Sequence, residues 1–584
     1  MISTRKRMRK FLQAHWESFS RTPFGCLLRL FVARMFHGGD EPGAEELDLG
    51  IGVIVIMLAM PGVLVSLLMF EKYGSLIRFL RGNPIFDPYT ATMPDEYFFL
   101  VLSLVVTGTA ALWRWDALFL DRRDYTNLVP LPLSLRAIFF ANLSAILALA
   151  TLLTIAVNAA SLVFFPMAVV GSQNSFAVWI RFTLGHAVAV FTASAFSFFA
   201  VFALAGLLMA LLPAAVFRRV SHAARFILAV VLLALLASSF TVPYLLTKLS
   251  VPTAHKIALL PPVSFLGLAR TVWLKGADPF AATMSKAALS AAGLTVLVAF
   301  IAYALSFRRS FIRIPEMADA GPLPRFRHSV SPLAPLHKAF LRSASQRACY
   351  HFVSRTLLRS DGHLQILLGF AALGLVLSAE TLSSARDLHA LVTGQSPPAE
   401  FLSVFFILAF CIIVGIRFAF EMPANLRANW IFRYWLDPSQ HDARPIARRV
   451  LLLFSLPWLA PAAFFSILFF WRWTTALLHT AILIACTVVL VELVLIRFRK
   501  IPFTCSYPSF QSHSALIFVA HLFGLVLFTD YLPQIEHWSL LNPWQSIVFA
   551  PLLAAALLAL RQYRKQMLDM DKTLIFEEPS PSAF

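Results

Sequence analysis

The amino-acid sequence predicts an all-α, polytopic membrane protein of about 12 transmembrane helices in a 6+6 parallel repeat. Three observations carry that expectation. Hydrophobic residues make up 59% of the 584 and charged residues 14%, against about 45–50% and about 25% in soluble domains. The apolar residues also gather in runs that reach the roughly 20 residues a helix needs to cross a hydrocarbon core. Finally, the order of basic, apolar and charged segments in the first half recurs in the second.

Taken in order, residues 1–47 form a basic N-terminal tail, in which Phe24, Leu27, Leu28, Phe31, Val32 and Met35 recur at helical spacing with Arg29 and Arg34 off the stripe. That pattern is expected of an amphipathic helix lying in the membrane interface. His15, Glu17, Arg21 and Arg29 interrupt any apolar core behind the basic start, so no cleaved signal peptide is expected. Spans are then expected near 48–70, 97–118, 137–165, 182–212, 224–247 and 283–306, forming a first membrane unit over 48–306. Pro61 and Pro243 fall inside these runs, where neighbouring helices can satisfy the freed carbonyls. Residues 307–362 read as a basic cytoplasmic linker with a second amphipathic helix. A second unit, 363–561, follows with spans near 363–380, 401–420, 450–471, 474–496, 514–533 and 543–561, then a cytoplasmic tail, 562–584.

Most Lys and Arg residues lie in the even-numbered connections and the tails, which places both termini in the cytoplasm by the positive-inside rule. The same distribution accounts for the formal charge of +19 without invoking nucleic acid. Five cysteines, Cys26, Cys349, Cys411, Cys486 and Cys505, show neither CxxC pairing nor regular spacing, so no disulfide framework or metal site is expected.

The connection after the second span reads Asp121, Arg122, Arg123, Asp124, Tyr125, and closes with Leu131, Pro132, Leu133, Ser134, Leu135, Arg136. This charged loop, with its Leu-Pro-Leu-Ser turn opening the third span, resembles the corresponding region of ABC-2 type permeases, the membrane subunits of ABC exporters. The segment Leu259–Leu268, LLPPVSFLGL, resembles the re-entrant hairpin which that family places between its fifth and sixth spans. The resemblance implies an exporter permease in the inner membrane of a bacterium, with no cofactor of its own and ATP hydrolysed by separate ABC ATPase subunits. Residues 121–125, 131–134 and Arg136 would form the ATPase-coupling loop. In the second half the positional counterpart runs from Glu421 to Arg449, with Glu421, Arg427 and Arg433 as coupling candidates. Two departures stand out: the second loop lacks Leu-Pro-Leu-Ser, and Asn142 stands where the family pattern has a basic residue. No phosphate-binding loop of the form GxxxxGK[ST] occurs in the chain, and no catalytic constellation emerges.

Each candidate has a plainer reading. The charges at 121–124 equally suit a solvated loop obeying the charge rule. Glu492, an ionisable group within a span, is expected to pair locally with Arg497 or reach the boundary. His186 has no carboxylate or second His at ligand spacing and is expected to pack or to hydrogen-bond between helices. Asp87, Asp95 and Glu96 read as a solvated outer loop. Two other functions compete. A twelve-span secondary transporter of the major facilitator type is echoed by Asp-Arg-Arg at 121–123, although Ala117, Asp124 and Tyr125 break that family's loop pattern. A membrane enzyme acting on a lipid-linked substrate would need an acid, base or metal cluster that the outer loops lack.

Overall fold

The computed structural model describes residues 21–36, 47–79, 88–120, 122–170, 175–248, 260–276, 278–311, 340–341, 344–384, 396–422, 434, 444–496, 498, 500–504, 514–541, 551–552, 554–563 and 566. Among the described residues all regular structure is helical, and nine helices are long and apolar enough to cross a membrane. The chain is an all-α polytopic membrane protein. The nine coincide with the second to tenth expected spans. The first expected span lies within a 33-residue helix, Leu47–Phe79. The eleventh falls on Ser514–Val526 and the π-helical turn after it, and most of the twelfth lies at the margin of the described residues.

The chain divides into two units, Met1–Pro324 and Arg325–Phe584, and the boundary falls inside the segment read as a linker. In the first unit the helices are α1 (Pro23–Phe36), α2 (Leu47–Phe79), α3 (Met93–Trp113), α4 (Arg122–Leu128), α5 (Leu135–Val170), α6 (Phe176–Leu211), α7 (Ala214–Lys248), α8 (Pro261–Trp273) and α9 (Pro279–Ser306). The hub is α6, which packs against α3, α5, α8 and α9. Its buried face alternates small residues, such as Ala189, Ala193 and Gly206, with Phe198 and Phe202. Lipid is as apolar as the helix surfaces, so close backbone approach and van der Waals contact hold such a bundle, and small residues permit the approach. Gly62 of α2 shows how close: a Cβ there would lie 2.8 Å from the Val157 carbonyl oxygen of α5.

Local chemistry sets the helix ends. Asp278 accepts hydrogen bonds from the amides of Phe280 and Ala281 at 3.0 and 3.3 Å, capping α9 ahead of Pro279. Upstream, α8 closes through Gly276, at φ 74°, whose amide reaches the Thr271 carbonyl at 2.9 Å. The segment expected to form a hairpin falls on α8 from Pro261 onward, largely buried against α6 and α9, while residues 249–259 before it lie outside the described residues. Pro61 and Pro243 sit inside helices, as expected, and so do Pro166, Pro457 and Pro461.

One expectation gains detail and another needs correction. The apolar stripe of α1 packs on protein at three positions: Leu27, Phe31 and Met35 are buried against α5 and the turn after α3, because that turn presents a matching apolar surface. Asp95 and Glu96 do not belong to a solvated loop. They lie in the first turn of α3 and are only 7% and 0% exposed, since the second span begins at Met93 rather than near 97.

In the second unit, α10 (Ala344–Arg359), α11 (Asp361–Ser384), α12 (Ala399–Ala419), α13 (Arg444–Phe470), α14 (Trp473–Val494), α15 (Ser514–Val526) and α16 (Leu532–Leu541) are described, the last two joined by the π turn Leu527–Tyr531. Here α12 is central, in contact with α11, α13, α14 and α16.

Candidate functional site

The connection between α3 and α5 is a folded element rather than a bare loop. After Trp113 the backbone turns, burying Trp115 and Leu118, and then forms the short helix α4. Leu131 donates its amide to the Leu128 carbonyl at 3.2 Å, and Leu133 donates to the Leu131 carbonyl at 2.7 Å. Pro130 and Pro132 have no amide to donate, which suits this sharp double turn. Ser134 then caps α5: its Oγ accepts from the Ala137 amide at 3.2 Å and its carbonyl from Ile138 at 3.2 Å. The Leu-Pro-Leu-Ser run therefore stops one helix and starts the next within four residues.

A guanidinium from another helix braces this turn. Arg34 of α1 forms an ion pair with Asp124 of α4, donates to the Ala117 carbonyl at 2.8 Å, and reaches Asn142 Oδ1 of α5 at 3.4 Å. Asn142 is fully buried and donates from Nδ2 to the Tyr303 hydroxyl of α9 at 3.1 Å; that hydroxyl in turn donates to the Phe139 carbonyl at 3.2 Å. Beside it, Arg225 of α7 pairs with Asp116 and lies 5.4 Å over the Trp115 ring. One set of contacts thus ties α1, α4, α5 and α9 to the connection, and α7 holds its first residues.

The candidate residues part company here. Asp124 is committed to Arg34 and Tyr125 is half-buried, packed on the α1 and α5 core. Leu131, Pro132, Ser134 and Arg136 are exposed, and with Val129 and Leu135 they form an uncovered rim. Leu133 is half-buried. The backbone of Arg122 and Arg123 begins α4; Asp121 lies outside the described residues.

In the second unit, Glu421 sits just past the end of α12 between two cations: Arg417, one turn back, and Lys500. Arg417 also donates to the Val494 carbonyl at 3.3 Å and stacks 4.8 Å over Phe498. Arg427 and Arg433 lie outside the described residues. Glu492 is paired, but across helices: its carboxylate meets Arg448 of α13 at 3.1 Å, while Arg497, the partner expected from the sequence, lies outside the described residues. Cross-helix pairing is favoured because Glu492 is only 6% exposed and faces the bundle interior.

The bond between helices expected of His186 is present, but its carboxylate partner was not foreseen, and neither was a second pair of the same kind. Glu96 and His186 meet at 2.8 Å in the first unit, and His479 and Glu536 meet at 2.8 Å in the second, all four fully buried. Each joins residues 57 or 90 positions apart on different helices, so no local spacing advertises it. Among the described residues there is no group of three or more His, Cys, Asp or Glu side chains placed to hold a metal ion. Comparison with protein-family models, with curated proteins and with solved structures finds no match for this chain.

Proposed function

We propose that the chain is the permease subunit of an ABC-type exporter, two fused six-span units with both termini in the cytoplasm, moving an unidentified lipid-like, peptide or apolar substrate across the cytoplasmic membrane. Separate ABC ATPase subunits hydrolyse the ATP and push on the element between α3 and α5. One observation carries the reading: an exposed apolar rim, with Val129 45%, Leu131 49% and Leu135 48% exposed, mounted on a turn that Arg34 locks to helices α1, α4 and α5. Apolar side chains at the centre of a contact supply affinity, and charges around them set register. A rigid mount is what a push requires, because a loose loop would absorb the displacement. The charges at 121–124 divide accordingly, with Asp124 acting as an internal brace and the rim making the contact. Glu421, held by Arg417 and Lys500, is the equivalent brace of the second unit.

The test is co-purification of the full chain from its native host with any ABC ATPase subunit that host makes. Changing Leu131→Asp together with Leu135→Asp is expected to abolish recovery of the ATPase while leaving the unfolding of the permease unchanged. Undiminished recovery from the double variant, or none from the parent chain, overturns the reading.

A further inference from the structure

Helix α10 of the second unit has two chemically distinct faces. Cys349, Tyr350, Val353 and Leu357 are buried where the helix packs on α11 and α13, and the Tyr350 ring meets Phe454 of α13 at 6.2 Å. On the other side Arg347, His351, Arg355 and Arg359 are exposed. They follow one another at intervals of four residues, which stacks their side chains along one stripe of the helix. The α10 sequence, ASQRACYHFVSRTLLR, holds no Asp or Glu, so nothing on the same helix neutralises the arginines. The nearest acid in the chain, Asp361, is exposed at the start of α11.

The stripe borders an open groove of about 610 Å³. His351, Arg355 and Arg359 line it, with Phe352, Thr356 and Ser360 alongside. Phe352 is half-buried and its ring stands edge-on to Phe503 at 6.4 Å, which makes it a fixed apolar wall. The Ser360 hydroxyl bonds His363 Nδ1 at 2.7 Å, so Thr356 is the hydroxyl left for a ligand. Arginines elsewhere are engaged, Arg34 with Asp124, Arg270 with Asp278 and Arg448 with Glu492. Within the described structure Arg347 and Arg355 make neither an ion pair nor a side-chain hydrogen bond. A guanidinium in that condition offers phosphate a fork of donors with matching geometry.

Depth decides the class of anion. Only Ser360 separates α10 from α11, a helix long and apolar enough to cross a membrane, so the groove sits at the level of the phospholipid headgroups. Beyond it α11 is largely uncovered, with 22% of its apolar window buried, and a Cβ placed on Gly369 would meet nothing within 4 Å. Acyl chains thus have room beside that helix. Basic pockets at the end of a span recognise anionic headgroups through this combination of charge and depth.

We propose that the α10 groove binds the headgroup of an anionic phospholipid, held as a resident of the surrounding leaflet and not as cargo. Arg355 and Arg359 hold the phosphate, Thr356 donates its hydroxyl hydrogen, and the acyl chains run along α11. The bound lipid ties α10 to the bilayer at its junction with α11. The site stands on charge, groove and depth, none of which the exporter reading uses.

The probe is phosphatidylglycerol, added to the lipid-stripped full chain in detergent, with phosphatidylcholine and inorganic phosphate as separate arms. Native mass spectrometry measures bound lipid, and amide exchange over residues 344–360 locates it. An arginine near an anionic surface contributes roughly fivefold in affinity. Arg355→Gln with Arg359→Gln is therefore expected to weaken the tightest phosphatidylglycerol site about 25-fold and to remove the protection of α10. Arg355→Lys with Arg359→Lys keeps the charge and is expected to keep most of both. Ala348→Trp fills the groove at an exposed position without altering charge and is expected to exclude the lipid. Arg472→Gln, at an exposed arginine beyond the far end of α13, is expected to change nothing. Equal binding of the two lipids, undiminished binding to Ala348→Trp, or equal weakening by Arg472→Gln would show diffuse attraction and overturn the site. Protection of α10 by inorganic phosphate as strong as that by phosphatidylglycerol would overturn the lipid assignment. Should the double Gln variant misfold, Ala348→Trp still decides. No ATPase enters the assay, so failure here leaves the exporter reading standing, and the converse holds too.

Discussion

Replacing Arg34 by Met removes the brace while keeping much of the side chain's volume. The side chains of Arg34 and Asp124 are 23% and 13% exposed, between the surface case, where a pair is worth about 0–1 kcal/mol, and the buried case, where breaking one costs about 3–5 kcal/mol. An intermediate value of about 2 kcal/mol is reasonable for the pair. The hydrogen bond to the Ala117 carbonyl, made by a charged donor at 2.8 Å, adds about 1 kcal/mol. Arg34→Met is therefore expected to destabilise the turn locally by about 3 kcal/mol, and Asp124→Asn by about 2 kcal/mol. In the double variant the shared part is lost once, leaving a coupling of about 2 kcal/mol, or roughly 30-fold in an opening constant. Because a multi-span chain does not unfold in one step, the suitable assay is amide exchange at residues 122–136 in the parent, both single variants and the double variant. Additivity to within about 0.5 kcal/mol would show that Arg34 and Asp124 do not act as a unit, and the brace would be refuted.

Other expectations follow from the same geometry. Ser134→Ala removes the α5 cap and should cost about 1 kcal/mol of local stability, while Ser134→Asp, which can accept the same amide, should restore most of it; exchange at Ala137 reads both. Gly62→Val places a branched side chain where even a Cβ would lie 2.8 Å from the Val157 carbonyl, so α2 must move off α5 at a cost of about 1–3 kcal/mol, read as a lower midpoint in detergent-driven unfolding. Burial pushes the Cys349 thiol of α10 above its ordinary range, so its thiolate fraction is small at pH 7.5 and grows as the pH rises toward and past that range. Maleimide labelling tracked by mass spectrometry should find exposed Cys26 modified first and Cys349 gaining only at alkaline pH. Equal rates at pH 7.5 would contradict that.

Much of the architecture is written in the chain itself. The bilayer imposes a length and a polarity on every crossing helix, so spans two to ten could be placed from apolar runs alone, and the cap at Ser134 from four consecutive residues. The same local chemistry placed prolines inside helices and gave α1 its amphipathic stripe. Local pattern stops at questions of partnership. Whether the α1 stripe faces lipid or protein depends on the surface opposite it, which is built by residues some 80–110 positions further on. Asp124 looks like a free charge in sequence and becomes a brace only because Arg34, 90 residues earlier, turns toward it. Glu96 looks like a solvated carboxylate until α6 brings His186 against it and α8 closes over both. Sequence thus determined which segments enter the membrane, since each helix meets that requirement by itself. Tertiary structure decided which polar groups meet inside, because a buried charge is tolerable only beside its partner, and partners here come from helices distant in the chain.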